Sequence, residues 1–284
     1  MVHTHRPHGH RSSMSEARGR RRSLSQNLLT DASVARRLVQ LADPAPGGLV
    51  FEVGAGDGMI TRHLARTPAH VVAYELDPVF SARLAKRYAD RPRVDVRGTD
   101  FLRAKPPREP FSVVGNIPYS RTADIVDWCL RARSLSSAAL LTQLEYARKR
   151  TGAAGRWSKL TVTTWPQMEW RFAGRVQRNR FHPVPRVDGG ILHLVRRDRP
   201  LIPGSALGEY RKLVAEGFTG TGGSLRASLR RSHPGNRVDA ALRAAGVPFG
   251  TVVAFVSPDQ WVALACRLLG IEQGDGGRGP DRSR

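Results

Sequence analysis

Short apolar runs alternate with amphipathic stretches along the middle of the chain. The runs have the length of buried strands and lie at 49–53, 71–75, 94–97, 111–114 and 138–142. Helical periodicity separates them at 59–66, 78–88 and 122–131. Strands that alternate with helices pair in parallel through right-handed crossovers. The pattern therefore predicts an α/β fold with a doubly wound sheet, and two more strand-like runs follow at 167–172 and 190–195.

Both flanks of this region have helical patterns. Upstream, we expect an amphipathic helix with Thr30 or Asp31 as its N-cap. After the last strand-like run only helices are predicted, and they cover 205–218, 224–231, 237–245 and 258–270. Asn236 is the predicted cap of the third, while Ser257 and Pro258 open the fourth. The C-terminal part should therefore be a small all-helical domain.

Composition divides the chain into four segments: 1–22, 23–200, 203–271 and 272–284. The first is basic and aperiodic, and the last is rich in Gly, Asp and Arg, so we predict that both are disordered. The second holds the sheet and the third holds the helices. The first segment also contains four histidines, but their spacing matches no metal site, and a solvated tail is the favoured interpretation.

The chain has 284 residues, of which 40% are hydrophobic, and it can build a sizeable core. Its longest apolar runs are far shorter than the roughly 20 residues that span a membrane, and the N-terminus lacks the apolar segment of a signal peptide. Cys129 and Cys266 fall within helical patterns and outside any metal-binding spacing. We therefore expect a cytoplasmic protein with two reduced cysteines, no membrane segment and no metal.

Charge indicates the class of partner. Lys and Arg number 46 against 24 Asp and Glu, and the formal net charge is +22. This surplus predicts a polyanionic partner without choosing among RNA, DNA and anionic lipid, and the alternative is a generally basic surface. Residues 148–186 contain ten Lys or Arg and one acid. The residues predicted to contact phosphates are Arg148, Lys149, Arg150, Arg226, Arg230 and Arg231.

Three loops that follow predicted strands have the residues of an adenosine site. Gly54 and Gly56 belong to a Gly-X-Gly-X-Gly turn that lets backbone approach a ligand, although a plain tight turn has the same pattern. The turn lacks both the dinucleotide spacing and the lysine of a P-loop. Glu75 ends the next strand, where an acid can bind ribose hydroxyls. Asp100 could accept a hydrogen from an adenine amino group, beside the ring of Phe101.

The stretch Asn116-Ile117-Pro118-Tyr119 follows another of these strands. The Asn116 amide oxygen and the Ile117 carbonyl, directed by Pro118, could accept both hydrogens of an amino group, while the Tyr119 ring stacks on a base. An ordinary strand-to-loop turn is the alternative, because Asn and Pro both favour turns.

Together these motifs resemble the rRNA adenine N6-methyltransferases, which include the Erm and KsgA types. The resemblance covers roughly residues 24–270 and rests on 26–29, 52–58, Glu75, 98–101, 116–119, 143–145 and 181–188. It is closer to the Erm type, because Asn-Ile-Pro-Tyr-Ser resembles the Erm form of the motif. Gly189-Gly190 departs from the family pattern, which affects only local packing.

The resemblance implies a Rossmann-like catalytic domain that binds S-adenosylmethionine, and a helical domain that binds RNA. The implied cofactor-binding residues are Asn27, Leu29, Gly54, Gly56, Glu75, Asp100, Phe101 and Asn116. The implied catalytic residues are Asn116, Ile117, Pro118, Tyr119 and Phe181. Phe181 would close the second face of a flipped base, and core packing is its alternative role.

The resemblance also implies a reaction. A monomer would methylate N6 of a flipped-out adenine in 23S rRNA, before ribosome assembly is complete, and confer resistance to macrolide, lincosamide and streptogramin B antibiotics. A KsgA-type dimethyltransferase of 16S rRNA is the first alternative. An RNA-binding factor without catalysis is the second, which the intact Asn116 and Tyr119 disfavour. A DNA adenine methyltransferase is disfavoured because those enzymes more often have Pro where Ile117 stands.

Overall fold

A seven-stranded sheet lies at the centre of the larger part of the molecule. The computed structural model describes residues 27–153 and 155–271, so the predicted arm 1–22 and tail 272–284 lie outside the described residues. The strands are β1 (Leu28–Leu29), β2 (Leu49–Val53), β3 (His70–Tyr74), β4 (Val94–Arg97), β5 (Phe111–Asn116), β6 (Leu135–Gln143), β7 (Met168–Val176), β8 (Phe181–His182) and β9 (Gly189–Arg196). The α-helices are α1 (Ala32–Ala42), α2 (Thr61–Leu64), α3 (Pro78–Arg87), α4 (Thr122–Arg131), α5 (Leu144–Arg150), α6 (Lys159–Thr164), α7 (Leu207–Gly217), α8 (Leu225–Leu229), α9 (Gly235–Ala244) and α10 (Pro258–Leu269).

The strand order in the sheet is β4-β3-β2-β5-β6-β9-β7. The first five of these strands pair in parallel, and β9 is antiparallel to both of its neighbours. Helices lie on both faces. The predicted doubly wound sheet is therefore confirmed for the parallel part, and the later strand-like runs add an antiparallel edge. β1 and β8 form a separate two-stranded ladder.

Side chains of the parallel strands alternate between two cores. Val50 contributes to the core beneath α1, α2 and α3, whereas its neighbour Phe51 contributes to the core beneath α4. The second core is aromatic: the ring centroids of Phe51 and Phe111 are 5.2 Å apart, and those of Phe101 and Trp128 are 4.4 Å apart. Burial on both faces explains why these strands are continuous apolar runs in the sequence.

Helix α1 begins at Asp31, which resolves the choice between the two predicted caps. The Asp31 carboxylate accepts from the amides of Ser33 and Val34, at 2.7 and 3.4 Å. Thr30 has a different role, because its amide and hydroxyl both donate to the carbonyl of Arg180, at 2.8 and 2.9 Å. These bonds continue the β1–β8 ladder and hold the start of the described chain against residue 180.

Three predicted local features differ from the structure. The helix predicted at 59–66 is only Thr61–Leu64, because the glycine-rich turn extends to its start. Helices α5 and α6 were not predicted. Asn236 does not cap α9: that helix begins at Gly235, and the Asn236 side chain instead accepts from the neighbouring amide of Arg237. Caps at Ser224 and Ser257 agree with the sequence pattern.

The C-terminal helices have their own core, which includes Tyr210, Leu213 and Trp261. Helix α6 packs into this core although it precedes residue 203 in the chain. The Tyr210 hydroxyl donates to the carbonyl of Val162 at 2.8 Å, and the Trp165 indole donates to Asp259 at 2.7 Å. The segment around α6 therefore fixes the helices against the sheet.

Both Cys129 and Cys266 are free thiols, and Cys129 is fully buried. Among the described residues, no helix combines the length and the apolar character that crossing a membrane requires.

Gly115 allows β5 to approach β2 closely, so a larger residue at this position should destabilise the sheet. A methyl group at position 115 would lie 2.5 Å from the carbonyl oxygen of Val53. Since neither strand can shift without disturbing the sheet, Gly115→Ala should lower the free energy of unfolding by about 1–3 kcal/mol. Chemical denaturation would measure it.

The matched control is Gly208→Ala in α7, where nothing lies within 4 Å of the added methyl group. This substitution should be neutral or stabilise by about 0.5–1 kcal/mol, since Ala favours helix more than Gly does. Equal stability of the two variants would contradict the close-approach argument.

Candidate active site

The carboxyl ends of β2, β3 and β5 enclose a cavity. Its lining includes Asn27, Leu28, Gly54, Gly56, Glu75, Leu76, Asp100, Phe101, Asn116, Ile117, Pro118, Tyr119 and Arg121. The structure thus brings together most of the predicted cofactor and catalytic residues, which lie up to 92 positions apart in the chain. Ligands of open α/β sheets bind at this edge.

The glycine-rich turn is shaped by backbone conformations that residues with side chains rarely adopt. Gly54 and Gly56 have φ values of +69° and +56°. The amides of Gly54 and Ala55 both donate to the carbonyl of Tyr74 at 3.0 Å. A methyl group on Gly56 would lie 2.8 Å from the Leu28 side chain. The turn therefore packs tightly against β1 and leaves its backbone facing the cavity.

Glu75 joins two of the strand ends. Its Oε2 accepts from the amide of Gly56 and its Oε1 accepts from the amide of Asp77, both at 2.7 Å. Only 2% of the residue is exposed. Burial raises the pKa of the Glu75 carboxyl, and these two amides partly offset that effect. A carboxylate at the end of this strand suits the predicted binding of ribose hydroxyls.

Asp100 begins a short 3₁₀ helix at the next strand end. Its Oδ1 accepts from the amide of Leu102 at 3.0 Å, and Arg121 lies 4.0 Å from its other oxygen. Phe101 is buried, and its ring contacts Tyr74 and Trp128. Asp100 therefore presents a fixed acceptor at the mouth of the cavity, and Phe101 forms part of the wall behind it.

Asn116 has a defined orientation. Its Nδ2 donates to the main-chain carbonyl of Asn27 at 2.7 Å, and the Oδ1 is the atom left to accept a hydrogen from a ligand. The next amide, of Ile117, donates to the carbonyl of Leu141 at 3.2 Å. The β1–β8 ladder holds Asn27 and β6 holds Ile117, so both acceptors of the predicted clamp are fixed by neighbouring strands.

Tyr119 lines the cavity with a neutral phenol. Burial, together with a smaller effect of the negative charge of Asp188, raises its pKa to about 12. Among the described residues, its buried hydroxyl has no hydrogen-bond partner. The backbone carbonyl of Tyr119 accepts from the Thr122 hydroxyl at 3.1 Å, which anchors the loop to the start of α4. The ring is the group that Tyr119 offers to a ligand.

Two predicted site residues lie in the core instead. Leu29 and Phe181 are each 2% exposed and are paired across the β1–β8 ladder. Phe181 packs among apolar residues beneath the sheet, and neither side chain lines the cavity. Leu28, one residue earlier on the strand, is the leucine beside the cavity. The core-packing role considered for Phe181 is therefore the one that its position supports.

Leu28, Leu76 and Arg121 line the cavity without having been predicted as site residues. Successive strand residues face opposite sides, but a strand of two residues does not reveal which of them faces the cavity, so Leu28 could not be identified. Leu76 is an exposed apolar residue directly after Glu75, and Arg121 directly follows the Tyr119-Ser120 pair. For both residues, the sequence signal was that they lie close to a predicted site residue.

A basic groove of about 950 Å³ lies between the sheet and the helical domain. It is lined by Arg148, Lys149, Arg156, Arg175, Arg178 and Arg186, together with Trp157, Asp188 and Ala254 among others. Arg175 pairs with Asp188, which also accepts from the Arg178 amide at 2.9 Å. These contacts lower the pKa of Asp188, the amide having the largest effect. The predicted basic segment therefore does form a channel wall.

Three of the residues predicted to contact phosphates have partners within the protein. The Arg150 guanidinium lies over the Tyr146 ring and donates to Ser158 at 3.0 Å. Arg226 makes two 2.8 Å bonds to Asp239, and Arg230 lies 3.5 Å from the same carboxylate. Charge counting could not reveal these partners. Arg231 is exposed and lies outside the groove lining.

Comparisons with known proteins agree with this geometry. The profile of the ribosomal RNA adenine dimethylase family matches residues 17–268. An rRNA adenine N-6-methyltransferase of Streptomyces fradiae is 55% identical over 260 residues, which is 91% of this chain and 82% of the relative. The mycinamicin-resistance protein MyrB of Micromonospora griseorubida is 38% identical over 98% of this chain and 92% of its own. The crystal structure of the 23S rRNA methyltransferase ErmE matches with a TM-score of 0.82 and 48% identity, over 85% of this chain and 99% of that one.

The parallel sheet, its carboxyl-edge cavity and the glycine-rich turn define a Rossmann-like methyltransferase. The chain belongs to the ribosomal RNA adenine dimethylase family. This confirms the resemblance and the enzyme class inferred from the motifs, an rRNA adenine N6-methyltransferase of the Erm type. Family and fold also imply S-adenosylmethionine as the methyl donor, and an rRNA as the substrate.

A buried carboxyl group lies behind the glycine-rich turn. Glu52 is in β2, and among the described residues neither of its oxygens makes a hydrogen bond of good geometry, although Thr61 lies near enough to favour the charged form. Burial raises the pKa of Glu52 to about 8, and the charges of Glu75 and Asp57 contribute in the same direction. The group is therefore largely protonated at neutral pH.

Glu52 generates a prediction about the pH dependence of stability. Its pKa is raised on folding from 4.5 to about 8, so its contribution to stability is greatest below pH 4.5 and is lost as the pH rises to 8. Glu52→Gln removes this ionisation, and its melting temperature should fall less than that of the parent between pH 6 and pH 8. The exposed substitution Glu109→Gln is the control and should follow the parent. Parallel curves for all three proteins would contradict the assignment.

Proposed function

We propose that the protein transfers methyl groups from S-adenosylmethionine to N6 of a flipped-out adenine in 23S rRNA. The observation that carries the proposal is the oriented amide of Asn116, whose Nδ2 is bound to Asn27 while Oδ1 remains as an acceptor beside the cavity. The names of ErmE and MyrB support 23S rRNA as the substrate and antibiotic resistance as the consequence. The expected resistance is to macrolide, lincosamide and streptogramin B drugs.

The cavity has the features that an adenosyl sulfonium donor requires. Glu75 would bind the ribose hydroxyls and Asp100 the adenine amino group, while Gly54 and Gly56 present backbone to the cavity. S-adenosylmethionine, when bound, supplies an electrophilic methyl group and leaves as a thioether.

Asn116 and Ile117 act on the acceptor nitrogen. The N6 lone pair of adenine is delocalised into the ring and is a weak nucleophile. When the Asn116 Oδ1 and the Ile117 carbonyl each accept one N6 hydrogen, the nitrogen is drawn toward tetrahedral geometry and its lone pair becomes available for attack. The new C–N bond forms as the methyl–sulfur bond breaks, and the surplus N6 proton is lost to solvent. Positioning and electrostatics drive the step.

The remaining clamp residues hold the base. Pro118 restricts the backbone that carries the Ile117 carbonyl, and the Tyr119 ring stacks on the extruded adenine. Unpaired adenines beside a stem are the bases that can be extruded at low cost, and the basic groove is suited to the phosphates of that stem. One chain contains both cavity and groove, so we propose a monomer that acts in the cytoplasm on rRNA before assembly is complete.

The substrate is tested by incubating the protein with labelled S-adenosylmethionine and either large-subunit or small-subunit rRNA. We expect label in the large-subunit RNA, at an adenine. Label confined to free small-subunit RNA or particles would identify a KsgA-type enzyme instead, and binding to RNA without any label would identify a noncatalytic RNA-binding factor.

Tyr119→Ala should lower the rate of methyl transfer about 10- to 100-fold, because it removes the stacking surface for the adenine. Affinity for S-adenosylmethionine, measured by calorimetry, should be nearly unchanged. Tyr119→Phe is the matched control: it keeps the ring and removes only a hydroxyl that has no partner among the described residues, so it should retain activity. A parallel loss of cofactor affinity in Tyr119→Ala would show that the ring has a structural role.

Arg148→Glu combined with Lys149→Glu should weaken RNA binding and reduce its salt dependence. Both residues line the groove and are exposed. Loss of two phosphate contacts should decrease the slope of log K against log salt by about 1–2. The control is Arg83→Glu with Lys86→Glu, on the exposed side of α3 and outside the groove. An equal slope change in both variants would show a general charge effect only.

A further inference from the structure

The helical domain exposes apolar side chains in one loop. Phe249, Val252 and Phe255 are 38%, 45% and 52% exposed, and all three lie between α9 and α10. Single exposed apolar residues are common, but three in one short loop indicate a contact surface. Val256, next in the chain, is fully buried and anchors the loop, whereas the Phe255 ring remains at the surface.

Phe255 is placed at the edge of the basic groove. The guanidinium carbon of Arg156 lies over its ring, 5.3 Å from the centroid, and Arg156 itself lines the groove. The amide of Trp157 donates to the carbonyl of Ala254 at 2.7 Å. This bond ties the loop to the segment that carries Arg156, and so the Arg156–Phe255 pair is held in position before any ligand binds.

The loop is also fixed at its other end. The amide of Leu225 donates to the carbonyl of Thr251 at 3.0 Å, and the Phe255 amide donates to the carbonyl of Val252 at 2.9 Å. An aromatic ring on such a backbone loses little conformational freedom when it binds a ligand. The pair therefore has the properties of a preformed stacking surface.

Charge identifies the kind of ligand. Among the described residues, Arg148, Lys149, Arg156 and Arg186 have no ion-pair partner. A polyanion that follows the groove would neutralise them, and it would bring its flat groups against Phe255 and the Arg156 guanidinium. Nucleic-acid bases stack on aromatic rings and on guanidinium planes. An acidic protein surface would satisfy the charges but would not require a planar platform.

We propose that Arg156 and Phe255 form a stacking platform for one nucleobase of the substrate RNA, at a nucleotide other than the methylated adenine. The proposal rests on the proposed function, since it assigns a second contact to the same RNA. It gives the helical domain a direct part in RNA recognition, through this loop and in place of Arg226 and Arg230, which Asp239 binds.

The first test compares three substitutions of one residue. Phe255→Ala and Phe255→Leu should raise the dissociation constant for a labelled RNA hairpin, with an unpaired adenine beside its stem, by about ten-fold. Phe255→Trp should bind as well as the parent, because it keeps a stacking ring. Phe249→Leu, in the same loop, is the control and should bind normally.

The second test locates the stacked base. Single abasic nucleotides are placed in turn on either side of the adenine of the hairpin. At one position the parent should lose about ten-fold in affinity, while Phe255→Leu should show no further loss there. This coupling is measured by binding alone, so it remains interpretable even if methylation of 23S rRNA is not observed and the proposed function fails.

Several outcomes would overturn the platform. One is unchanged RNA affinity in a folded Phe255→Ala variant, which would assign the loop to protein contact. Another is equal weakening by Phe249→Leu, which would show a general apolar effect. A third is retention of full affinity by Phe255→Leu, because a side chain without a flat face cannot stack.

Discussion

Close backbone approach at the carboxyl edge of the sheet is the constraint on which the active site depends. Gly115 lies against Val53, Gly54 lies near the Asn116 carbonyl, and Gly56 lies against Leu28. At Gly115 and Gly56 a side chain would occupy the space that the neighbouring segment now fills, and Gly54 has a positive φ that residues with side chains rarely adopt. As a result, three strand ends and the β1 segment lie within hydrogen-bonding distance of one another. Glu75 can therefore bond to the turn after β2, and Asn116 can bond to Asn27.

Much of this convergence could be predicted from the sequence. Parallel strands end at one edge, so residues such as Glu75, Asp100 and Asn116, each at the end of an apolar run, were expected to meet. The sequence did not determine where the side chains of Leu29 and Phe181 lie, because both residues are on two-residue strands. Such short strands give no alternation from which to determine which side chain faces inward.

The RNA surface was less predictable for a different reason. A count of positive residues identifies a basic segment but not which members have internal partners, and Arg150, Arg226 and Arg230 proved to be bound within the protein. The groove itself depends on α6, a six-residue helix with no strong periodicity, which packs into the core of the C-terminal helices. Its position places Arg156 and Trp157 opposite the sheet, and sequence spacing alone contains no information about that tertiary contact.

The β1–β8 ladder has a consequence for how the site responds to fluctuations. Two residue pairs and the bonds of Thr30 to Arg180 hold the segment whose carbonyl orients Asn116. Elements with few backbone bonds open at a lower free energy than the strands of a large sheet. The Asn116 amide can therefore lose its orientation through a local opening that leaves the sheet intact. Amide hydrogen exchange at residues 28–30 would measure this local opening separately from global unfolding.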